Sequence, residues 1–364
     1  MTVAGIDPAP TRSRICDSYT ISYGGTVINL GHSDLTVRPI GLGCMGMSQF
    51  YGDSDDEQSI ETIRAAIDLG VDFLDTSDVY GGSDIGTATN SRGFGHNERL
   101  IGTALAGRRD QVVLATKFGA KVNDSRDGIV IDGRPEYVAA ACEASLRRLG
   151  TDVIDLYYCH RRDHTVPIED TVGAMAELVT AGKIRALGLS EVGPELIRRA
   201  HVVHPITALQ SEYSLWERGV EQGVTDTCRE LGITLVPYCP LGRSALTGAL
   251  KAGDTFDPND FRSANPRFSA GNLETNLEPV AALADLAHEK GCTPGQLALA
   301  WLLVQPFDVV PIPGTRRIAH VRENMAAAAV TISADEVAYL SQLFAPGRVV
   351  GERYTPVHAA TVSD

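Results

Sequence analysis

Four residues in the first half of the chain have types suited to moving a proton: Asp75 and Tyr80 in FLDTSDVYG, Lys117 in ATKFG and His160 in YYCHR. A phenol is a weak acid, with an ordinary pKa of about 10. An ammonium group beside it stabilises the phenolate, so Lys117 is expected to lower the pKa of Tyr80 and make it the better donor. Desolvation would strip the proton from such a lysine, and a carboxylate partner such as Asp75 opposes this and fixes its position. His160 is then available to orient the oxygen that receives the proton. Such a set suits reduction of a carbonyl, where hydride arrives on one side and the developing alkoxide needs an acid held close. Taken singly, each residue also has an ordinary structural reading: a helix cap, a loop aromatic, a surface charge and a satisfied polar group.

What would gather residues so far apart is a barrel of parallel strands, whose C-terminal ends converge on one face. From about Ile40 the sequence alternates short apolar runs with amphipathic stretches, the pattern of repeated βα units. Strands are expected at Ile40–Leu42, Phe73–Asp75, Val112–Thr116, Val153–Cys159, Ile184–Leu189, Ile206–Leu209, Ile233–Pro237 and Val309–Pro311. Helices are expected from Pro135 to Gly150, from Val172 to Ala181 before Gly182, and from Pro279 to Glu289 before Gly291, each closed by a glycine able to take the left-handed cap. The expected fold class is therefore α/β, a (β/α)8 TIM barrel with an N-terminal β-hairpin cap at Thr26–Leu30 and Leu35–Val37. Two long βα loops, Gly81 to His96 and Arg243 to Leu277, interrupt the rhythm and are expected to be lids or binding loops. Residues 1–18 read as a tail and 19–364 as a single barrel domain.

The sequence Gly41-Leu42-Gly43-Cys44-Met45-Gly46 matches the GxGxxG of a Rossmann fold, with Asp75 as a possible ribose ligand. That fingerprint must open a helix at once. Helical phase here resumes only near Asp55, so the Rossmann dehydrogenase is the weaker alternative. A formal charge of -14 disfavours duplex nucleic acid or an anionic bilayer as the main partner, because the net field repels polyanions. Seven scattered cysteines without a CxxC pair suit a reducing compartment, and no apolar run is long enough to span a bilayer. Together with an N-terminus lacking an apolar signal core, this leads us to expect cytoplasmic residence. His201 with His204, and His160 with His164, lack supporting ligands at metal-binding spacing, so no metal site is expected.

The joint order of Asp, Tyr, Lys and His on three successive strand ends resembles the aldo-keto reductases. The matching stretches are GVDFLDTSDVYG, VVLATKFG and VIDLYYCHR, followed in family order by GKIRALGLSEV, ALQSEYSLW, VPYCPLGRSALTG and VPIPGTRRIAHVREN, over Leu30 to about Phe344. HPITALQ and Leu215-Trp216 are most similar to the subgroup of auxin-induced and pyridoxal-reductase-like proteins. The resemblance implies Tyr80 as general acid, Lys117 and Asp75 as its partners, and His160 as the residue orienting the substrate. It also implies NADP(H) held without a Rossmann domain by Met45, Asp75, Ser190, Glu191, Gln210, Tyr238, Pro240, Leu241, Arg243, Gly314, Thr315, Arg316, His320, Glu323 and Asn324. Within this set Tyr238 would stack on the nicotinamide, Ser190 and Gln210 would bond its carboxamide, and Arg316 at a helix start would favour the extra phosphate of NADPH.

Two departures stand out. Glu191 occupies a position where many members carry Asn, and the Gly81 to His96 loop is longer than usual. The expected function is NADPH-dependent, reversible reduction of an aldehyde or ketone, with a small carbonyl compound as the partner. An alternative of the same fold is an NADP-sensing regulatory subunit without turnover.

Overall fold

Short, fully buried apolar runs can pair only with one another, and here they form parallel ladders. The computed structural model describes residues 27–82, 92–122, 129–359 and 362. The expected tail, residues 1–18, and Thr26 of the expected hairpin lie outside these residues. Seven parallel strands run β3 (Leu42–Gly43), β4 (Phe73–Asp75), β5 (Val113–Phe118), β8 (Ile154–Cys159), β9 (Ile184–Ser190), β10 (Ala208–Glu212) and β11 (Thr234–Tyr238), each beside the next in space. The eighth stave is Val309 to Gly314. It bridges β11 at Leu235 and β3 at Gly43, with hydrogen bonds from Val310 N to Leu235 O (2.9 Å) and Gly41 N to Pro311 O (3.0 Å). The barrel thereby closes, as the sequence led us to expect, although this last stave is too irregular to form a continuous strand.

Two hairpins flank the barrel. β1 (Ile28–Asn29) and β2 (Thr36–Val37) pair antiparallel, and Gly31 N bonds Thr234 Oγ1 at the N-terminal end of β11 (2.8 Å), which places this hairpin across the bottom. Leu30, Leu35 and Val37 pack there against Phe73, Leu156 and Val236, plugging the interior. At the opposite end, β6 (Ala120–Val122) and β7 (Ile129–Ile131) form a hairpin that the sequence analysis did not anticipate. Residues 83–91 of the first long loop lie outside the described residues.

The outer layer contains α1 (Asp56–Asp68), α2 (His96–Ala104), α3 (Pro135–Leu149), α4 (Ile168–Thr180), α5 (Pro194–Val203), α6 (Val224–Leu231), α7 (Asn272–Glu289), α8 (Pro294–Leu303), α9 (Ile318–Ala326) and α10 (Ala334–Leu343), with a short α11 (Pro356–Ala359) at the end. Pro135 opens α3 and Gly150 closes it at φ 65°, as expected from their side-chain constraints. For α7 the expectation needs correction: the helix begins seven residues before Pro279, which lies inside it. Glu274 reaches back to the Gly271 N–H and supplies an N-terminal bond that a proline-first reading overlooks. After β3, a single 3-10 turn at Met45–Met47 replaces the immediate helix that a Rossmann fingerprint requires, and α1 starts only after its cap, Asp55. The Rossmann alternative is thereby excluded.

Close packing inside the barrel leaves no room for a side chain at several glycines, Gly188 among them. A Cβ on Gly188 of β9 would lie 2.3 Å from the Tyr158 ring on β8. Gly188→Ala is expected to destabilise the fold by about 1–3 kcal/mol through overpacking, read as a lowered denaturant midpoint; an unchanged midpoint would show that the ring can move aside.

Candidate active site

Asp75 ends β4 and Lys117 lies near the end of the adjacent β5, so the register alone puts both side chains at one rim of the barrel. The Lys117 ammonium has three protons and meets three acceptors: Asp75 Oδ1 at 2.6 Å, Thr76 O at 2.7 Å and Tyr80 OH at 3.1 Å. It is fully buried. Gln210 Nε2 occupies the other carboxylate oxygen, Asp75 Oδ2, at 2.7 Å. His160, just past β8, meets the Tyr80 ring edge-on with centroids 5.8 Å apart, and its Nδ1 lies 3.1 Å from Ser77 Oγ. The four residues singled out by type and strand position thus form one cluster.

The loop carrying Tyr80 is tied down from below. Thr76 Oγ1 donates to Asn97 Oδ1 (2.6 Å), and Asn97 Nδ2 donates to Cys44 O (2.9 Å) and Ser48 Oγ (2.7 Å). Beside it the buried Glu98 accepts from Thr116 Oγ1 and Arg148 Nε, both at 2.6 Å. These bonds tie Thr76, at the start of the segment that carries Tyr80, to α2 and to the turn after β3.

The electrostatics correct one expectation. Burial raises the Tyr80 pKa, and the opposing pull of Lys117 does not overcome it, so the phenol sits above its ordinary value instead of below. Burial also raises Asp75, against the pull of Lys117 and Gln210. For Lys117 the order is reversed: burial alone would lower it, but Asp75 and Tyr80 hold the ammonium above its usual range. Burial, then the Arg161 and Lys117 charges, push His160 well below 6.5, and the imidazole is neutral at neutral pH.

Above this cluster opens a cavity of about 490 Å³. Of the residues expected to hold a cofactor, Met45, Asp75, Ser190, Gln210, Tyr238, Pro240, Leu241, Arg243, Gly314, Thr315, Arg316 and His320 line it, together with Tyr80 and His160. Three do not. Glu191 turns aside to accept from Glu212 N (2.9 Å) and to pair with Arg353 (2.6 Å). Glu323 accepts from Thr293 Oγ1 (2.7 Å), and Asn324 is buried on α9. Gln210 likewise spends its amide on Asp75, and Ser190 Oγ accepts from Arg161 (3.1 Å).

The wall also contains residues the sequence analysis passed over: Arg161, Tyr51, Arg262 and Tyr354. Arg161 directly follows His160 and could have been noticed as a charge at a strand end. Tyr354 offered no such signal, because it arrives from a tail 116 residues after Tyr238, whose hydroxyl it meets.

In the cavity wall Arg316 donates to the carbonyls of Tyr51 (2.9 Å) and Asp53, and neither Arg316 nor Arg317 forms an ion pair among the described residues. Both guanidinium groups line the cavity and suit an anion, with the Asp260 and Asp53 charges close enough to act on Arg316. After β11 the backbone is left-handed at Gly242, Arg243 and Ser244 in succession, and this turn brings Arg243 and Ser244 into the cavity wall. The cavity therefore has Asp75, Tyr80 and His160 in its wall together with Arg316 and Arg317, and a long pocket with guanidinium groups fits an extended dinucleotide phosphate.

Elsewhere the other candidate chemistry recedes. The cysteines of the described residues are free, and burial pushes the thiols of Cys142 and Cys159 up to about 11 and about 12. His201 Nδ1 accepts from Ile206 N (3.1 Å), a local backbone role. Among the described residues no helix is long and apolar enough to cross a membrane, and no three His, Cys, Asp or Glu side chains are grouped to hold a metal ion.

Comparison with known proteins agrees with this fold. A glycerol dehydrogenase from Gluconobacter oxydans shares 29% identity over 91% of this chain and 98% of its own, with a TM-score of 0.79. An aldo-keto reductase from Bacillus halodurans, solved in its holo form, shares 27% over 91% of this chain and 98% of its own, with a TM-score of 0.70. A third structure, an aldo/keto reductase from Klebsiella pneumoniae in complex with NADP and acetate, shares 28% over 90% of this chain and 99% of its own, with a TM-score of 0.65. The model of the Aldo/keto reductase family matches residues 39–345, and on that match the chain belongs to this family of oxidoreductases.

Proposed function

We propose that this chain uses NADPH to reduce an aldehyde or ketone to the alcohol, reversibly, with Tyr80 as the general acid. The observation that carries the proposal is the buried Lys117 ammonium shared between Asp75 Oδ1 and Tyr80 OH at the wall of a cavity that Arg316 and Arg317 also line. The cofactor class is supported by the NADP bound in the Klebsiella pneumoniae relative. Met45, Ser190, Gln210, Tyr238, Pro240, Leu241, Arg243, Gly314, Thr315, Arg316 and His320 would hold it, and it supplies the hydride when bound.

The chain's own residues supply the rest. Tyr80 donates its proton to the substrate oxygen, and Lys117, already within hydrogen-bond reach, stabilises the phenolate left behind. Asp75 keeps Lys117 charged and aimed at that oxygen. In the tautomer whose Nδ1 accepts from Ser77 Oγ, the neutral His160 carries its proton on Nε2 and can donate to the carbonyl oxygen from a second direction. Buried surroundings strengthen each of these interactions relative to water. The subgroup likeness carried by HPITALQ and the cytoplasmic residence suggested by cysteine usage belong to the same proposal.

The test follows NADPH absorbance while aldehydes, ketones and keto-sugars are supplied. Oxidation of NADPH by at least one compound is expected, and tight NADPH binding with no turnover across the panel would favour a sensing subunit instead. Arg316→Ala removes charge-assisted bonds worth about 1.5–3 kcal/mol, so NADPH should bind roughly 10- to 100-fold more weakly while NADH is hardly affected. Equal losses for both cofactors would move the 2′-phosphate contact elsewhere.

The pH dependence follows from the two shifted groups. Reduction needs Tyr80 protonated, and its raised pKa means that activity is lost only as pH climbs above 10. It also needs His160 neutral, and a pKa well below 6.5 means that no loss begins at that pH on acidification. A flat kcat/KM for reduction across the neutral range is expected, and an inflection near 6.5 in the native chain that is absent in His160→Gln would overturn the assignment.

A further inference from the structure

We infer that Arg353 and Tyr354 are positioning residues of this site: their segment latches over the Tyr238 end of the cavity and sets how fast NADP(H) is released. The inference rests on the cofactor reading above. It begins with two carboxylates. Glu191 and Glu212, at the C-terminal ends of β9 and β10, are almost wholly buried, and burying two charges side by side is unfavourable without a cation between them. Arg353 provides it, with Nη2 2.6 Å from Glu191 Oε1 and Nε 3.0 Å from Glu212 Oε2. This also accounts for the acid at position 191, which serves the tail and not the cavity.

The same guanidinium donates to Tyr238 OH at 2.8 Å, and the hydroxyls of Tyr238 and Tyr354 bond each other. Tyr354 lines the cavity beside Tyr238, so whatever is held against Tyr238 shares a wall with the tail. Glu212 pairs in addition with Arg243 of the left-handed turn at 3.3 Å, which links the latch to the loop after β11. The tail is fastened to that loop and to α7 as well: Asn265 Nδ2 donates to Arg353 O (3.0 Å), and Asn276 on α7 bonds both Val350 N (2.7 Å) and Val350 O (2.9 Å). The tail residues Val350, Arg353 and Tyr354 lie beyond residue 345, where the family match ends, while their partners lie within it.

The measurement is the rate at which NADPH fluorescence is lost when the preloaded full-length protein is chased with excess NADP+. Arg353→Ala should release NADPH about tenfold faster or more, and Tyr354→Phe, which removes one hydroxyl and leaves packing intact, should show a smaller increase in the same direction. Because Arg353→Ala leaves buried carboxylates behind, the double variant Arg353→Met with Glu191→Gln is measured beside it; it should fold normally and still release NADPH quickly. Saturating NADPH should also slow backbone hydrogen exchange in residues 349–355 of the native chain. Unchanged release in Tyr354→Phe and in the double variant, or tail exchange indifferent to NADPH, overturns the latch. A native chain that fails to bind NADPH in an equilibrium titration instead overturns the cofactor reading itself.

Discussion

Tyr80→Phe is expected to lower kcat for carbonyl reduction by about 10²- to 10⁴-fold, the range associated with losing a positioned general acid, while NADPH still binds. The substitution removes one oxygen and no packing volume. What disappears is the only proton donor that the Lys117 ammonium touches directly. Thr76 O and Asp75 remain as acceptors, so Lys117 keeps two of its three bonds and the fold should be nearly unaffected. Binding and turnover therefore separate cleanly: fluorescence titration reads the first, NADPH oxidation the second. Full turnover by Tyr80→Phe on every accepted substrate would remove Tyr80 from the mechanism.

The second large effect concerns stability as well as rate. Lys117→Met strands the Asp75 carboxylate in a buried site with only Gln210 as a partner. Breaking a buried ion pair from one side costs about 3–5 kcal/mol, and turnover should fall with it because nothing then stabilises the phenolate. Adding Asp75→Asn removes the stranded charge. The double variant is expected to recover most of the lost stability in a denaturant titration and none of the lost turnover. Recovery of both would mean that Lys117 serves the fold alone; recovery of neither would mean that the ammonium's bond to Thr76 O is what stabilises the backbone after β4.

Sequence periodicity located the barrel staves well because each is a short run buried on both faces, and such runs have few other places to go. It placed α3 because Pro135 and Gly150 mark the ends by their own backbone limits. It mistook Pro279 for a helix start because the same limits cannot distinguish a first turn from an interior position when a better cap lies upstream at Gly271. The β6–β7 hairpin went unseen since its two strands have three residues each, below the length at which alternation stands out.

Residue types and strand ends were by themselves enough to bring Asp75, Tyr80, Lys117 and His160 into one neighbourhood, because parallel strands in a barrel must all finish on the same rim. Three-dimensional packing decided what the list of residues could not. Burial, which no local pattern measures, raised the phenol that a neighbouring lysine alone would have lowered, and it kept His160 neutral. Packing also turned Glu191 away from the cavity and brought Arg353 and Tyr354 into its wall, since pairing a buried charge depends on which distant segment reaches it and not on what lies beside it along the chain.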